Sequence, residues 1–231
     1  MAAASYALST MVQEGPQFVR KCLLRLIAVP ALLASIACGA RSIVSWDHAV
    51  SPGTPLSDGT LFVMTPQWTV GPNTGNVGRD AGSITSDVGD RILAVARQRM
   101  ARAELVPANV RIAVPLPAGY ESALRDPLTS DERRAASWTV EHGAPYLLVP
   151  TIVEWKEMRT DDPIGALILP HDSIAITVRL MRVEPPAIVG QATFRNRARL
   201  TLNQRAEHLL DERFQKMVLD LLSGTASSRH P

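Results

Sequence analysis

Tyr146-Leu147-Leu148-Val149-Pro150-Thr151-Ile152-Val153-Glu154-Trp155 is the stretch from which the fold can be read. It opens with an unbroken apolar run, passes into alternation and is rich in β-branched and aromatic residues, which predicts a long strand, fully buried where it begins. Pro150 has no N–H to give to a ladder, so it predicts a bulge or a sheet edge. Downstream, Ile174, Ile176, Val178 and Leu180 alternate within Ser173 to Val183, Glu184-Pro185-Pro186-Ala187 makes a turn, and Ile188 to Leu200 forms a returning strand. In that strand Ile188, Ala192, Phe194, Ala198 and Leu200 are expected on one packed face, and Gln191, Thr193, Arg195, Arg197 and Arg199 on a wet one.

Working toward the N-terminus, Gly143 stops a helix that Ser130 opens, with Asp131 and Glu132 in its first turn. The Pro-rich stretch 116–128 reads as loop and Val110 to Val114 as a short strand. Ile84, Val88, Ile92, Val95 and Met100 recur at helical spacing, predicting a helix over 84–104 capped by Ser83 or Thr85. Leu61-Phe62-Val63-Met64, bounded by Gly59 and Pro66, is a further buried strand. A last helix, about 204–222, carries Leu209, Leu210, Phe214, Met217, Val218, Leu221 and Leu222, and residues 223–231 are expected to be a disordered tail. The order β-α-β-α-β-β-β-α over 61–222 predicts a single α/β (α+β) domain, a mixed sheet of about five strands with helices packed on one face.

Composition suits that domain: 231 residues, 46% hydrophobic and 20% charged, with no uninterrupted apolar run long enough to span a bilayer as a helix. Residues 1–37 read as a secretory signal. Arg20, Lys21 and Arg25 precede a twelve-residue apolar segment, Leu26 to Ala37, and small residues lead into Cys38-Gly39-Ala40. Without Arg20, Lys21, Arg25 and Glu14, the chain's 24 basic and 22 acidic residues become 21 of each. A neutral body removes the basic excess expected of a nucleic-acid binder.

The segment ending at Cys38 resembles the lipobox of bacterial lipoproteins. That resemblance implies that Cys38 becomes the mature N-terminus and carries diacylglycerol and a further acyl chain such as palmitate, anchoring residues 38–60 as a lipidated tether. The absence of Asp at position 39 resembles lipoproteins sorted to the periplasmic face of the outer membrane. Ser35 departs from the usual Leu, and a start at Met11 would give the leader an ordinary length. Two plainer readings stand beside it: a signal without lipidation, or an apolar N-terminal helix of a cytosolic protein. With Cys22 in the leader and Cys38 the only other cysteine, the mature chain has neither an intrachain disulfide nor a Cys-based zinc site.

Ala144 to Thr160, with its Tyr-Leu-x-x-Pro-x-Ile strand and Trp155, resembles the core of a family of small bacterial lipoproteins carrying a domain of unknown function. At the level of fold it is also similar to envelope lipoproteins of the curli-secretion and penicillin-binding-protein-activator type. The resemblance implies an envelope protein that binds a protein or glycan partner and does not catalyse. Pro145 replaces the acid usual before the Tyr, and Asp161-Asp162-Pro163 with an apolar insertion, Ile164 to Leu169, departs from the family pattern.

No catalytic residue, cofactor or metal site is expected. The Gly-rich stretch 71–82 matches neither dinucleotide nor P-loop spacing, and Asp80 would repel an anion. The histidines show no H-x-x-x-H spacing, Asp161 and Asp162 near His171 and Asp172 read as solvated, and no G-x-S-x-G occurs. An envelope hydrolase whose site assembles from residues distant in sequence is the alternative reading. Two partner-binding candidates stand out. Arg195, Arg197 and Arg199 would project from one strand face about 6.5–7 Å apart, able to grip anionic glycan, lipid phosphate or an acidic partner, or else simply pairing with acids on neighbouring strands. Ile164, Leu167 and Leu169 would form an interaction patch or tuck into the core.

Overall fold

The computed structural model describes residues 41–48, 56, 59–73, 79–111, 114–124, 126–157, 172–198 and 206–224. The elements in chain order are β1 (Arg41–His48), β2 (Thr60–Val63), β3 (Gln67–Trp68), α1 (Ala81–Ala96), β4 (Arg102–Leu105), α2 (Tyr120–Leu124), α3 (Ser130–Glu141), β5 (Tyr146–Lys156), β6 (Asp172–Val183), β7 (Pro186–Ala198), a 3-10 turn (Ala206–Leu209) and α4 (Glu212–Ser223). They form the α+β architecture the periodicity predicts, a mixed sheet with four helices packed against it. The sheet has seven strands in the order β1-β7-β6-β5-β2-β4, with β3 also pairing β5. β1, β7, β6 and β5 are antiparallel neighbours, whereas β2 runs parallel to both β4 and β5.

Helices cover both faces. On one, Ile84, Val88 and Ile92 of α1 and Phe214, Val218 and Leu221 of α4 pack on Leu148, Ile152, Ile176, Val178 and Phe194. On the other, Tyr120 and Leu124 of α2 and Ala135 and Ala136 of α3 pack on Phe62, Leu147, Val149, Met181 and Val183. Alternation explains the division, because Leu147 and Leu148 must point to opposite faces. Burial on both sides is what an unbroken apolar run is for.

Five local expectations are corrected. Residues 41–48, assigned to a tether, form β1, whose Ser42, Val44 and Trp46 face inward or partly so while Ile43, Ser45 and Asp47 are exposed. α1 stops at Ala96 instead of 104; tight turns follow, Gln98 N donating to Val95 O and Arg99 N to Ala96 O. Residues Arg102–Leu105 then pair with β2, so the strand expected at 110–114 lies eight residues earlier. Arg-Ala-Glu-Leu favours helix by propensity, and tertiary pairing overrides it. The last helix begins only at Glu212, because Asp211 caps it, accepting from Arg213 N at 2.9 Å and Phe214 N at 3.2 Å. Ile188 does not share a face with Phe194: a register shift between the Leu180↔Gly190 and Met181↔Ile188 pairs turns it toward the opposite core.

Caps also move by a few residues. Asp80, not Ser83 or Thr85, caps α1, accepting from Ser83 N at 2.8 Å. Thr85 Oγ1 instead accepts from Trp68 Nε1 at 2.9 Å. Thr129 caps α3 in a reciprocal box with Glu132, and Gly143 follows with φ +64°. Pro150 lies inside the sheet. It pairs with Val178 on β6, while its other side meets the gap between β2 and β3, midway between Leu148 O, which accepts from Met64 N, and Ile152 O, which accepts from Thr69 N. The missing N–H is thus aimed where no acceptor strand runs, and the bulge follows between Ile152 and Glu154.

Candidate functional site

β7 carries the arginine row at the margin of a face that is covered over β6, where Ala175 and Ser173 are buried, and open over β1, where Ile43 and Ser45 are exposed. Ala192, Phe194 and Asn196 point into the core, and Arg195 and Arg197 are exposed on the opposite side. In register, Arg195 lies between Ile43 of β1 and Ala175 of β6, and Arg197 between Arg41 and Ser173. None of the β1 and β6 residues opposite them is acidic, so the cross-strand pairing that would neutralise such a row is absent there. Neither arginine has an ion pair among the described residues. Ile43, beside Arg195, is 56% exposed.

Charge changes sign along the same face. Asp47, toward the other end of β1, accepts from Gln191 Nε2 at 3.3 Å and Thr193 Oγ1 at 3.2 Å. The basic end is therefore the one at which β1 starts, at Arg41. At that end Arg213 of α4 reaches across to donate from Nη1 to Ser42 O at 2.7 Å, fastening β1 to the helix layer. Arg199, Ile164, Leu167, Leu169 and Cys38 lie outside the described residues.

The Gly-rich stretch builds something other than an anion cradle. Asp80 occupies the α1 N-terminus, and Arg79 beside it pairs with Asp87 and Glu207 and lies 3.8 Å from Glu157 Oε1. Burial works against the charge on Arg79, but the hydrogen bond it donates to Glu207 and the carboxylates of Glu207, Glu157 and Asp87 outweigh it and raise its pKa. The group ties the first helix, the end of β5 and the turn before α4 together. Among the described residues no His, Cys, Asp and Glu side chains gather as a metal site.

A third feature was missed in the Pro-rich stretch read as loop. A cavity of about 390 Å³ opens between Pro115, Leu116, Pro117, Tyr120, Arg133 and Ser137. Tyr120 is 3% exposed, its hydroxyl has no hydrogen-bond partner among the described residues, and burial pushes its pKa up to about 12. Arg133 pairs with Glu121 at the rim at 2.7 Å, and Ser137 donates to Val114 O. A Tyr set two residues after Pro117-Ala118 was the available signal. Ile43 was missed because Arg41 to His48 alternates too briefly to stand out from its Ser- and Pro-rich surroundings.

No family model and no curated protein matches the sequence. Among solved structures the chain is similar in fold to the PelC dodecamer from Paraburkholderia phytofirmans, at 12% identity over 83% of this chain and 100% of that one, with a TM-score of 0.47. It is also similar to protein XCC0632 from Xanthomonas campestris, at 13% identity over 84% of this chain and 98% of that one, TM-score 0.43. The LpoB C-terminal domain from Salmonella enterica matches at 16% identity over 62% of this chain and 84% of that one, TM-score 0.33. These are likenesses of fold.

Proposed function

We propose that the chain is a lipid-anchored cell-envelope protein whose folded domain works by binding a partner, a protein or a glycan, on the periplasmic face of the outer membrane. The observation that carries this reading is the leader. Positive residues, a twelve-residue apolar segment and small residues end at Cys38, and the first strand begins three residues later at Arg41. Acyl chains at Cys38, at about 0.8 kcal/mol per buried CH₂, would hold the domain to the bilayer. The exposed row of Arg195 and Arg197, continued in sequence by Arg199, is a surface suited to an anionic ligand, and the apolar segment holding Ile164, Leu167 and Leu169 is the surface offered to a partner.

The test is intact mass and membrane fractionation of the native protein beside Cys38→Ala. The expected result is a mature chain starting at residue 38 with added acyl mass, in the membrane fraction, and loss of both properties in the variant. An unprocessed chain in the soluble fraction overturns the reading.

A further inference from the structure

The β1–β7 corner of the sheet combines three properties that meet nowhere else among the described residues. Arg195 and Arg197 are exposed without ion pairs, side by side on one strand face, roughly 6.5–7 Å apart by strand geometry. Ile43, directly opposite Arg195 in the ladder, is a branched apolar side chain standing 56% exposed among them. The third property is position: β1 starts at Arg41, in register with Arg197, and three residues of chain can span at most about 11 Å.

From these we infer that this corner rests on an anionic lipid surface, Arg195 and Arg197 engaging headgroup phosphates while Ile43 enters the interface beside them. The inference rests on the anchor at Cys38 proposed above, since that anchor would bring the Arg41 end of β1, and Arg197 beside it, to within a few residues' reach of the bilayer. Guanidinium groups suit phosphate because their planar fork donates two parallel hydrogen bonds. An apolar side chain flanked by cations matches a layer whose outer plane is anionic and whose next plane is hydrocarbon. Opposing charge on this face is engaged elsewhere: Asp47 sits toward the other end of β1, and Glu154, two strands from Arg195 and roughly 10 Å away at the usual strand spacing, has its Oε1 held by Ser173 Oγ, the residue opposite Arg197. Each arginine near an anionic membrane surface strengthens binding by about fivefold, an effect that salt removes.

The experiment uses the mature, lipidated protein with Ile43→Cys. Cys22 leaves with the leader and Cys38 is blocked by its lipid, so the introduced thiol is the one site for an environment-sensitive fluorophore. The protein is reconstituted into vesicles of phosphatidylcholine alone or with added phosphatidylglycerol. We expect a blue-shifted, stronger emission in the anionic vesicles only, abolished by high salt. Arg195→Gln with Arg197→Gln should lower the docked-to-undocked ratio about 25-fold. Arg102→Glu, on the far edge strand, should leave it unchanged. Emission that ignores lipid charge, or that survives the double substitution, overturns the docking. So does an arginine-dependent signal that arises in neutral vesicles only when an anionic polysaccharide is added. Intact mass separates the two possible failures: an unacylated chain overturns the anchor, and an acylated chain whose label ignores phosphatidylglycerol overturns the docking alone.

Discussion

Arg179 of β6 donates from Nη2 to Glu132 Oε1, joining the middle of the sheet to the first turn of α3. The other carboxylate oxygen of Glu132 accepts from Thr129 N at 2.8 Å, so one side chain both caps the helix and fixes where it lands. The two side chains are only 15% and 9% exposed. In such surroundings removing one partner costs far more than the pair contributes, because a charge is left buried.

Glu132→Gln is therefore expected to lower unfolding free energy by about 3 kcal/mol, seen as a drop in urea midpoint at unchanged slope. Replacing both residues, as Glu132→Gln with Arg179→Met, should recover a large part of the loss. A single variant with a wild-type midpoint would show that the pair is solvated and carries little.

Tyr120 links stability to alkaline pH. Its pKa in the folded chain is pushed up to about 12 by burial, above the ordinary value of 10.0. The stabilisation is complete below the unfolded pKa, and is lost as pH rises between about 10 and 12, because the unfolded chain gives up the proton first; it amounts to about 2–3 kcal/mol. Thermal melts across that range should show this loss in the wild type and not in Tyr120→Phe. Since the hydroxyl has no partner among the described residues, the Phe variant should be at least as stable at neutral pH.

How much of this was legible beforehand depends on the range of the forces involved. β5, β6, β7 and α3 were readable because their burial is written as period 2, or as a capping sequence closed by Gly143. β4 was not, since Arg102 to Leu105 becomes a strand only when β2 lies alongside. β1 escaped for the same reason: an edge strand takes its conformation from β7, about 150 residues on in the chain. The arginine row was legible as a row. That the residues directly opposite it are not acidic was not, because Ile43, Ala175 and Ser173 reach it only through strand register. The cavity at Tyr120 depends on how α2 and α3 pack, and no local pattern encodes it.

Phe194 and Phe214 meet edge to face, ring centroids 5.3 Å apart, where β7 meets α4. Both are fully buried. Phe194→Ala should cost about 3–5 kcal/mol, and Phe194→Leu much less, because Leu refills most of the space. A double-mutant cycle with Phe214→Leu is expected to return a coupling of about 1 kcal/mol.

Gly143 ends α3 with φ +64° and has open space where a Cβ would stand. Any penalty on substitution therefore comes from the backbone alone. Gly143→Ala should destabilise by about 1–2 kcal/mol, and Gly143→Asn by less, since Asn tolerates this conformation. Equal stability of the Ala variant and wild type, in matched thermal melts, would refute this account of the helix stop.

Because β1 claims residues 41–48 for the sheet, a chain held at Cys38 has almost no slack. A flexible linker over residues 39–60 would have had a root-mean-square reach of roughly 25 Å and let the domain sweep a volume in search of its partner. Under the anchor proposed at Cys38, the short link to Arg41 would confine that search to two dimensions. Encounters would then depend on how densely partners populate the membrane plane, and a partner rooted deeper in the envelope would have to extend to the bilayer to be met.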